Sequence, residues 1–173
     1  MAWTIEQLAW AAGFFEGEGH VQISKSLRRI DRYSPHYTMN VEVANTNPLP
    51  LHQFHSLFGG SIYERKQSKL PNRAKLFRWS LSGNAASGFL KAISPYLIFK
   101  KEQAKLAITF QKTCSIKQRG IILTAELIAY REALHLQLRE LTQTGYKRRL
   151  KTKSLPKRET RNQLVLSLEE GGK

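Results

Sequence analysis

The spacing of apolar residues changes its period within the first 45 positions. Ile5, Leu8, Ala9, Ala12, Gly13, Phe15 and Gly17 recur at helical intervals. Thr4 reads as an N-cap, and Gln7 stands three residues later, where a capping box wants Glu or Gln. From His20 the period falls to two. Val21, Ile23 and Leu27 face one way, and Gln22, Ser24, Ser26 and Arg28 the other. A second strand fits Tyr37 to Asn45, where Met39, Val41 and Val43 alternate with Thr38, Asn40 and Glu42.

Within the first helix, Ala9, Gly13 and Gly17 lie at i, i+4 and i+8, a stripe with almost no side chain. A glycine in a helix costs roughly 1 kcal/mol relative to alanine. Two of them in two turns imply a gain elsewhere, and close approach of another helix is the usual one.

Farther along, Pro48 and Pro50 bracket the start of a short helix, LHQFHSLF, which Gly59 and Gly60 end. SIYERKQ and KLFRWSL form an expected hairpin around the turn-prone SKLPNR. Ile62, Phe77, Trp79 and Leu81 fall on its buried side, and Tyr63, Arg65, Gln67 and Arg78 on its outer side. Helical patterns then resume in NAASGFLKAI, KKEQAKLAITFQKTC and TAELIAYREALHLQLRELTQ. A domain over residues 1–145 with a basic tail over 146–173, YKRRLKTKSLPKRETR and beyond, is expected, the tail a mobile segment or one ordered on binding. The order α-β-β-α-β-β-α plus extra helices implies an α+β fold. Its four-stranded antiparallel sheet carries helices on one face and leaves the other open.

Charge gives that open face a partner. Lys and Arg number 28 against 13 Asp and Glu, a formal net charge of +15. Such an excess favours a polyanion, with nucleic acid ahead of membrane or acidic protein. Gln22, Ser24, Ser26, Arg28, Thr38, Asn40, Tyr63, Arg65, Gln67 and Arg78 carry hydrogen-bonding groups suited to base edges and phosphates. No apolar run approaches the roughly 20 residues that span a bilayer. MAWTIEQLAW has no basic region ahead of its apolar stretch, so no secretory signal is expected. Cys114, the only cysteine, excludes an internal disulfide and is expected to be buried and inert. His52 and His55 have no nearby cysteine or third ligand to suggest zinc and read as packing or surface residues.

The stretch AAGFFEGEG, residues 11–19, resembles the signature of the LAGLIDADG homing endonucleases. Gly13, Phe14, Phe15, Glu16, Gly17, Glu18 and Gly19 fall on its glycine, two apolar, acid, small, acid, glycine core. FGGSIYERK and PYLIFKKEQAKL resemble later blocks, so the likeness runs over roughly residues 5–110. Ala11 replaces the usual leucine, and both acids are glutamate.

That resemblance implies the αββαββα fold with signature helices packed in pairs. A single signature implies a homodimer joined along Ala9, Gly13, Glu16 and Gly17, with Glu16 the structural acid of the interface. It further implies Glu18 as ligand, with the Gly19 backbone beside it, for Mg²⁺ (or Mn²⁺ or another divalent cation) at the scissile phosphates. Lys100 matches a basic residue near the reacting phosphate, with Lys101 as the competing choice. Asn45 matches a polar residue that holds solvent there. Strands of about ten residues at roughly 3.3 Å span about one turn of DNA. Two subunits would therefore read roughly 20 base pairs of double-stranded DNA as a pseudopalindrome, cut to short 3′ overhangs. The family implies an intron-encoded protein of an organelle (chloroplast or mitochondrion) or of the bacterial cytoplasm. Relatives that do not cut, as RNA maturases or DNA-binding regulators, are the alternative.

Overall fold

A computed structural model describes residues 3–26, 35–65, 74–114 and 123–153, with side chains as far as Thr142. The chain divides into a unit Met1–Thr142 and a unit Gln143–Lys173. The first contains α1 (Ile5–Glu18), β1 (Gly19–Ser26), β2 (His36–Asn45), α2 (Leu49–Phe58), β3 (Ser61–Arg65), β4 (Leu76–Ser82), α3 (Gly83–Ile93) and α4 (Lys101–Cys114). The last helix, α5 (Ala125–Lys153), begins in the first unit and runs into the second. The expected α-β-β-α-β-β-α order is present, with two further helices. None of the described helices is long and apolar enough to cross a membrane.

All four strands form one antiparallel sheet in the order β1-β2-β4-β3. Its pleat sends Val21, Ile23, Tyr37, Met39, Val41, Val43, Trp79 and Leu81 into the core. The alternate residues turn to the opposite, uncovered face. On the helix side an aromatic cluster ties three helices to β4. Phe15 of α1 and Trp79 of β4 meet Phe89 of α3 at 5.2 and 5.3 Å, and Phe54 of α2 lies 4.9 Å from Trp79. These tilted and edge-on contacts suit aromatic quadrupoles. The buried indole of Trp79 donates to the Gly59 carbonyl at 2.8 Å, so its polar atom is satisfied.

Local chemistry sets the ends of the elements. Thr4 and Gln7 form the expected capping box, with Oγ1 of Thr4 accepting the Gln7 amide and Oε1 of Gln7 accepting the Thr4 amide. Such a cap is worth about 1 kcal/mol. Helix α2 stops at Gly59 and Gly60, whose φ values of 72° and 92° suit glycine.

The edge strand β1 is fastened to α5. The Ile23 carbonyl can only accept, so His135 Nδ1, 2.8 Å away, carries the proton between them. Glu132 accepts from Lys25 Nζ at 2.8 Å and from the Tyr37 hydroxyl. The Lys25 bond, and then the Tyr37 bond, hold the Glu132 carboxyl below its usual range. Glu132 in turn raises the Lys25 ammonium, and burial followed by the Glu132 bond raises the Tyr37 phenol.

The basic segment after residue 145 opens as the end of α5, which continues to Lys153. Lys, Arg and Leu are good helix formers, and no proline interrupts them before Pro156. Cys114 is half-buried rather than buried, because it sits in the last position of α4. Residues 154–173 lie outside the described residues.

Candidate nucleic-acid interface and acidic centre

The junction of α1 and β1 places an acid where a helix least favours one. Glu18 is the last residue of α1, at the end where the helix dipole is negative and a cation stabilises. The last turn of α1 contains no basic residue of its own. Glu18 is exposed, and its carboxylate has no hydrogen-bond or ion-pair partner among the described residues. Gly19, which follows, has an ordinary extended φ of −78°. A Cβ there would lie 2.3 Å from the Phe15 ring and 2.4 Å from the Phe15 carbonyl oxygen. Gly19 is therefore required for space, letting β1 leave directly over the end of α1.

Glu16 and Lys100 organise the same junction. The Glu16 carboxylate accepts the backbone amides of Ile98 (2.9 Å), Phe99 (3.1 Å) and Lys100 (3.0 Å). These amides belong to the turn leading into α4, so the acid braces the approach to a positive helix end. The Lys100 ammonium donates to the Phe15 carbonyl at 3.0 Å and also to the Glu16 carbonyl. It thus supplies the cation that the end of α1 lacks. Lys101, by contrast, is exposed as the first residue of α4.

Ala9, Gly13 and Gly17 are exposed on α1, and Cβ atoms built on both glycines meet nothing within 4 Å. The stripe is therefore open within this chain. Glu16, expected beside it at an interface, spends its carboxylate on amides of its own chain. In the turn that Glu16 holds, Ile98 and Phe99 are 77% and 85% exposed.

The uncovered sheet face starts at the acidic junction. Strand register aligns Gln22 with Asn40, Ser24 with Thr38, and Tyr63 with Arg78. Ser26 and Arg65 lie on the same face by strand alternation. Asn40 donates to Ser24 Oγ at 3.1 Å, and Ser26 to the His36 carbonyl at 3.4 Å. Arg28 and Gln67, expected on this face, lie outside the described residues. Asn45 falls on the other parity and accepts the Asn47 amide at 2.8 Å, shaping the turn into α2. The structure thus gathers Glu18, Gly19 and Lys100 at one end of the face and sets Asn45 at the end of β2.

Among the residues of this face outside the sequence-derived candidates are two ionisable ones. His20 and Glu42 are directly paired across β1 and β2. The His20 imidazole, although the residue is exposed, is held below its ordinary pKa by partial loss of hydration. Glu42 opposes that shift, and the Lys100 and Arg78 cations add to it. Period-two alternation places Glu42 beside Thr38 and Asn40, so its position was readable; only its sign set it apart from a basic face.

No group of three or more His, Cys, Asp or Glu side chains that could hold a metal occurs among the described residues. A cation at Glu18 would need oxygens from outside the chain as well. An exposed carboxylate at a helix C-terminus fits that sharing, and hard oxygen donors suit Mg²⁺.

No protein-family model and no curated protein sequence matches this chain. Solved structures do. The archaeal intron-encoded homing endonuclease I-Vdi141I, complexed with DNA, superposes with a TM-score of 0.65 at 18% identity, covering 79% of this chain and 84% of that one. The homing endonuclease I-CvuI, in complex with the I-CreI target in the presence of Mg, gives 0.64 at 20%, covering 79% and 82%. The LAGLIDADG homing endonuclease I-GzeII, with its DNA target, gives 0.57 at 16%, covering 76% of this chain and 43% of that one. The fold is that of the LAGLIDADG homing endonucleases.

Proposed function

We propose that this chain is a homing endonuclease acting as a homodimer on double-stranded DNA. It would cut both strands of a pseudopalindromic site of roughly 20 base pairs, leaving 3′ overhangs and promoting the movement of an intron that encodes it. The observation that carries the reading is Glu18, an unpaired acid at the end of a glycine-lined, exposed helix and at the head of a polar sheet face. The net charge of +15 supports DNA as the ligand, and the DNA complexes of I-CvuI, I-Vdi141I and I-GzeII support the same choice.

Pairing of two copies along Ala9, Gly13 and Gly17 would bring backbones close without a side-chain clash, because those positions are open. Exposed Ile98 and Phe99, held in the turn that Glu16 braces, offer apolar area for the same contact. The two Glu18 carboxylates would then meet near the dimer axis, where the two scissile phosphates can share them. A divalent ion there supplies Lewis-acid stabilisation of the phosphoryl oxygens and lowers the pKa of water. Glu18 would hold the ion with the Gly19 backbone beside it, and Lys100 would keep positive charge near the reacting phosphate. Gln22, Ser24, Ser26, Thr38, Asn40, Tyr63, Arg65 and Arg78 contact the duplex along the sheet.

The test is selection of cleaved sites from a randomised duplex library with Mg²⁺, with EDTA, and with Glu18→Gln. Cleavage should require Mg²⁺. It should fall in the variant by more than the 10- to 100-fold that loss of a supporting residue around a metal gives, while DNA binding persists. Equal cutting by the variant rejects Glu18 as ligand. Tight binding without cutting under any divalent ion identifies a maturase-like or regulatory relative.

A further inference from the structure

Glu42 places a negative charge in the middle of the face assigned above to DNA. It lies on β2 in register with His20 on β1 and Ser80 on β4. Its Oε2 stands 2.8 Å from Nη1 of Arg78, and the two side chains are only 17% and 24% exposed. Arg78 makes no other side-chain hydrogen bond among the described residues, and its buried Nε has no acceptor. Within the chain the guanidinium is therefore held by its carboxylate partner.

Such a pair is poorly suited to phosphate. Glu42 repels it, and Arg78 has its charge offset by Glu42 at contact distance. A base pair is a better match. A guanidinium offers forked donors to guanine O6 and N7, and a carboxylate accepts from the N4 amine of the paired cytosine. One arginine–glutamate pair can thus address both members of a G·C pair in the major groove. Fixing the fork before binding lessens the side-chain freedom lost on contact. On β2 the residue opposite Arg78 is the small Ala44, and on β3 it is Tyr63.

We infer that Glu42 determines specificity by positioning Arg78, the two reading one G·C pair in each half-site as a unit. This rests on the functional reading above. The experiment is selection of bound sequences from a randomised duplex library by the full chain, Glu42→Gln, Glu42→Asp, Arg78→Gln and Glu42→Gln/Arg78→Gln. Each protein is first checked for a cooperative melt. Wild type should show a G·C preference at one position per half-site. Glu42→Gln and Arg78→Gln should each weaken it about 10- to 100-fold at that same position, with other positions unchanged and the double variant no worse than either. Glu42→Asp should recover part of the preference. Glu42→Gln should also bind unrelated DNA more tightly at low salt, because a repulsive charge has gone. Unchanged preferences in Glu42→Gln, or effects of the two variants at different positions, overturn the inference while leaving the functional reading intact. Wild type that selects no sequence overturns both.

Discussion

Glu16 and Lys100 each bind the other's backbone. The Glu16 carboxylate takes the Lys100 amide at 3.0 Å, and the Lys100 ammonium returns to the Glu16 carbonyl. The exchange clamps the end of α1 to the start of α4, two positions before the acid proposed to hold the metal. A structural role and the proposed chemical role thereby fall within one turn of α1.

Glu16→Gln should loosen this clamp. Glutamine keeps one acceptor oxygen but presents an amine where a second acceptor served backbone amides. Hydrogen bonds to a charged group contribute about 1.5–3 kcal/mol, so a loss of about 2 kcal/mol is expected, with a melting temperature lower by about 4–8 °C. Cleavage should fall further than stability explains, because Lys100 loses its anchor. Urea denaturation beside single-turnover cleavage at a temperature where the variant is folded checks both. A variant as stable as wild type removes the clamp.

Gly13→Leu should separate folding from assembly. Among the described residues nothing stands within 4 Å of a Cβ at Gly13, so a side chain can leave the helix there without meeting backbone or core at its first carbon. Leucine is also the better helix former by about 0.8 kcal/mol. The isolated subunit should therefore melt at or above the wild-type temperature, while dimerisation and cleavage are lost. Sedimentation equilibrium over a range of concentrations reads the assembly. A dimer of unchanged affinity would mean that this stripe does not face a second copy.

The Glu132 cluster should make stability depend on pH at both ends of the scale. A carboxyl whose pKa is depressed by folding contributes stability above its unfolded value and loses it as pH falls through the folded one. Lys25 and Tyr37 are shifted upward, so their contribution holds below their unfolded values and fades as pH rises. The melting-temperature difference between wild type and Glu132→Gln should be greatest between about pH 5 and pH 9 and shrink on both sides. A difference that stays level from acid to alkali would assign the cluster to packing alone.

The parts of the fold readable from sequence were those with local causes. Alternation in VQIS and TMNVEV marked β1 and β2, and Thr4 with Gln7 marked the start of α1, because each signal lies within a few residues. The Glu16 clamp was unreadable for the opposite reason. Its partners are more than 80 positions away, and only the folded chain brings them together. The resemblance suggested an interface role for Glu16 and gave no hint of the amides. Gly19 was legible only as the last residue of the signature; what requires a glycine there is the Phe15 ring and carbonyl, not an unusual backbone angle. The helix beyond residue 145 was missed because a run of cations without apolar rhythm reads as solvated chain.

Helix α1 ends at Glu18 and strand β1 begins at Gly19, with no loop between them. The element proposed to sense sequence and the group proposed to sever the backbone are thus consecutive along the chain, with no loop to absorb a movement between them. A wrong base under β1 that tilts the strand would displace the scissors along with the ruler. For such mismatches, accuracy in cutting should exceed accuracy in holding, a gap that paired measurements of cleavage rate and affinity on the same substrates would expose.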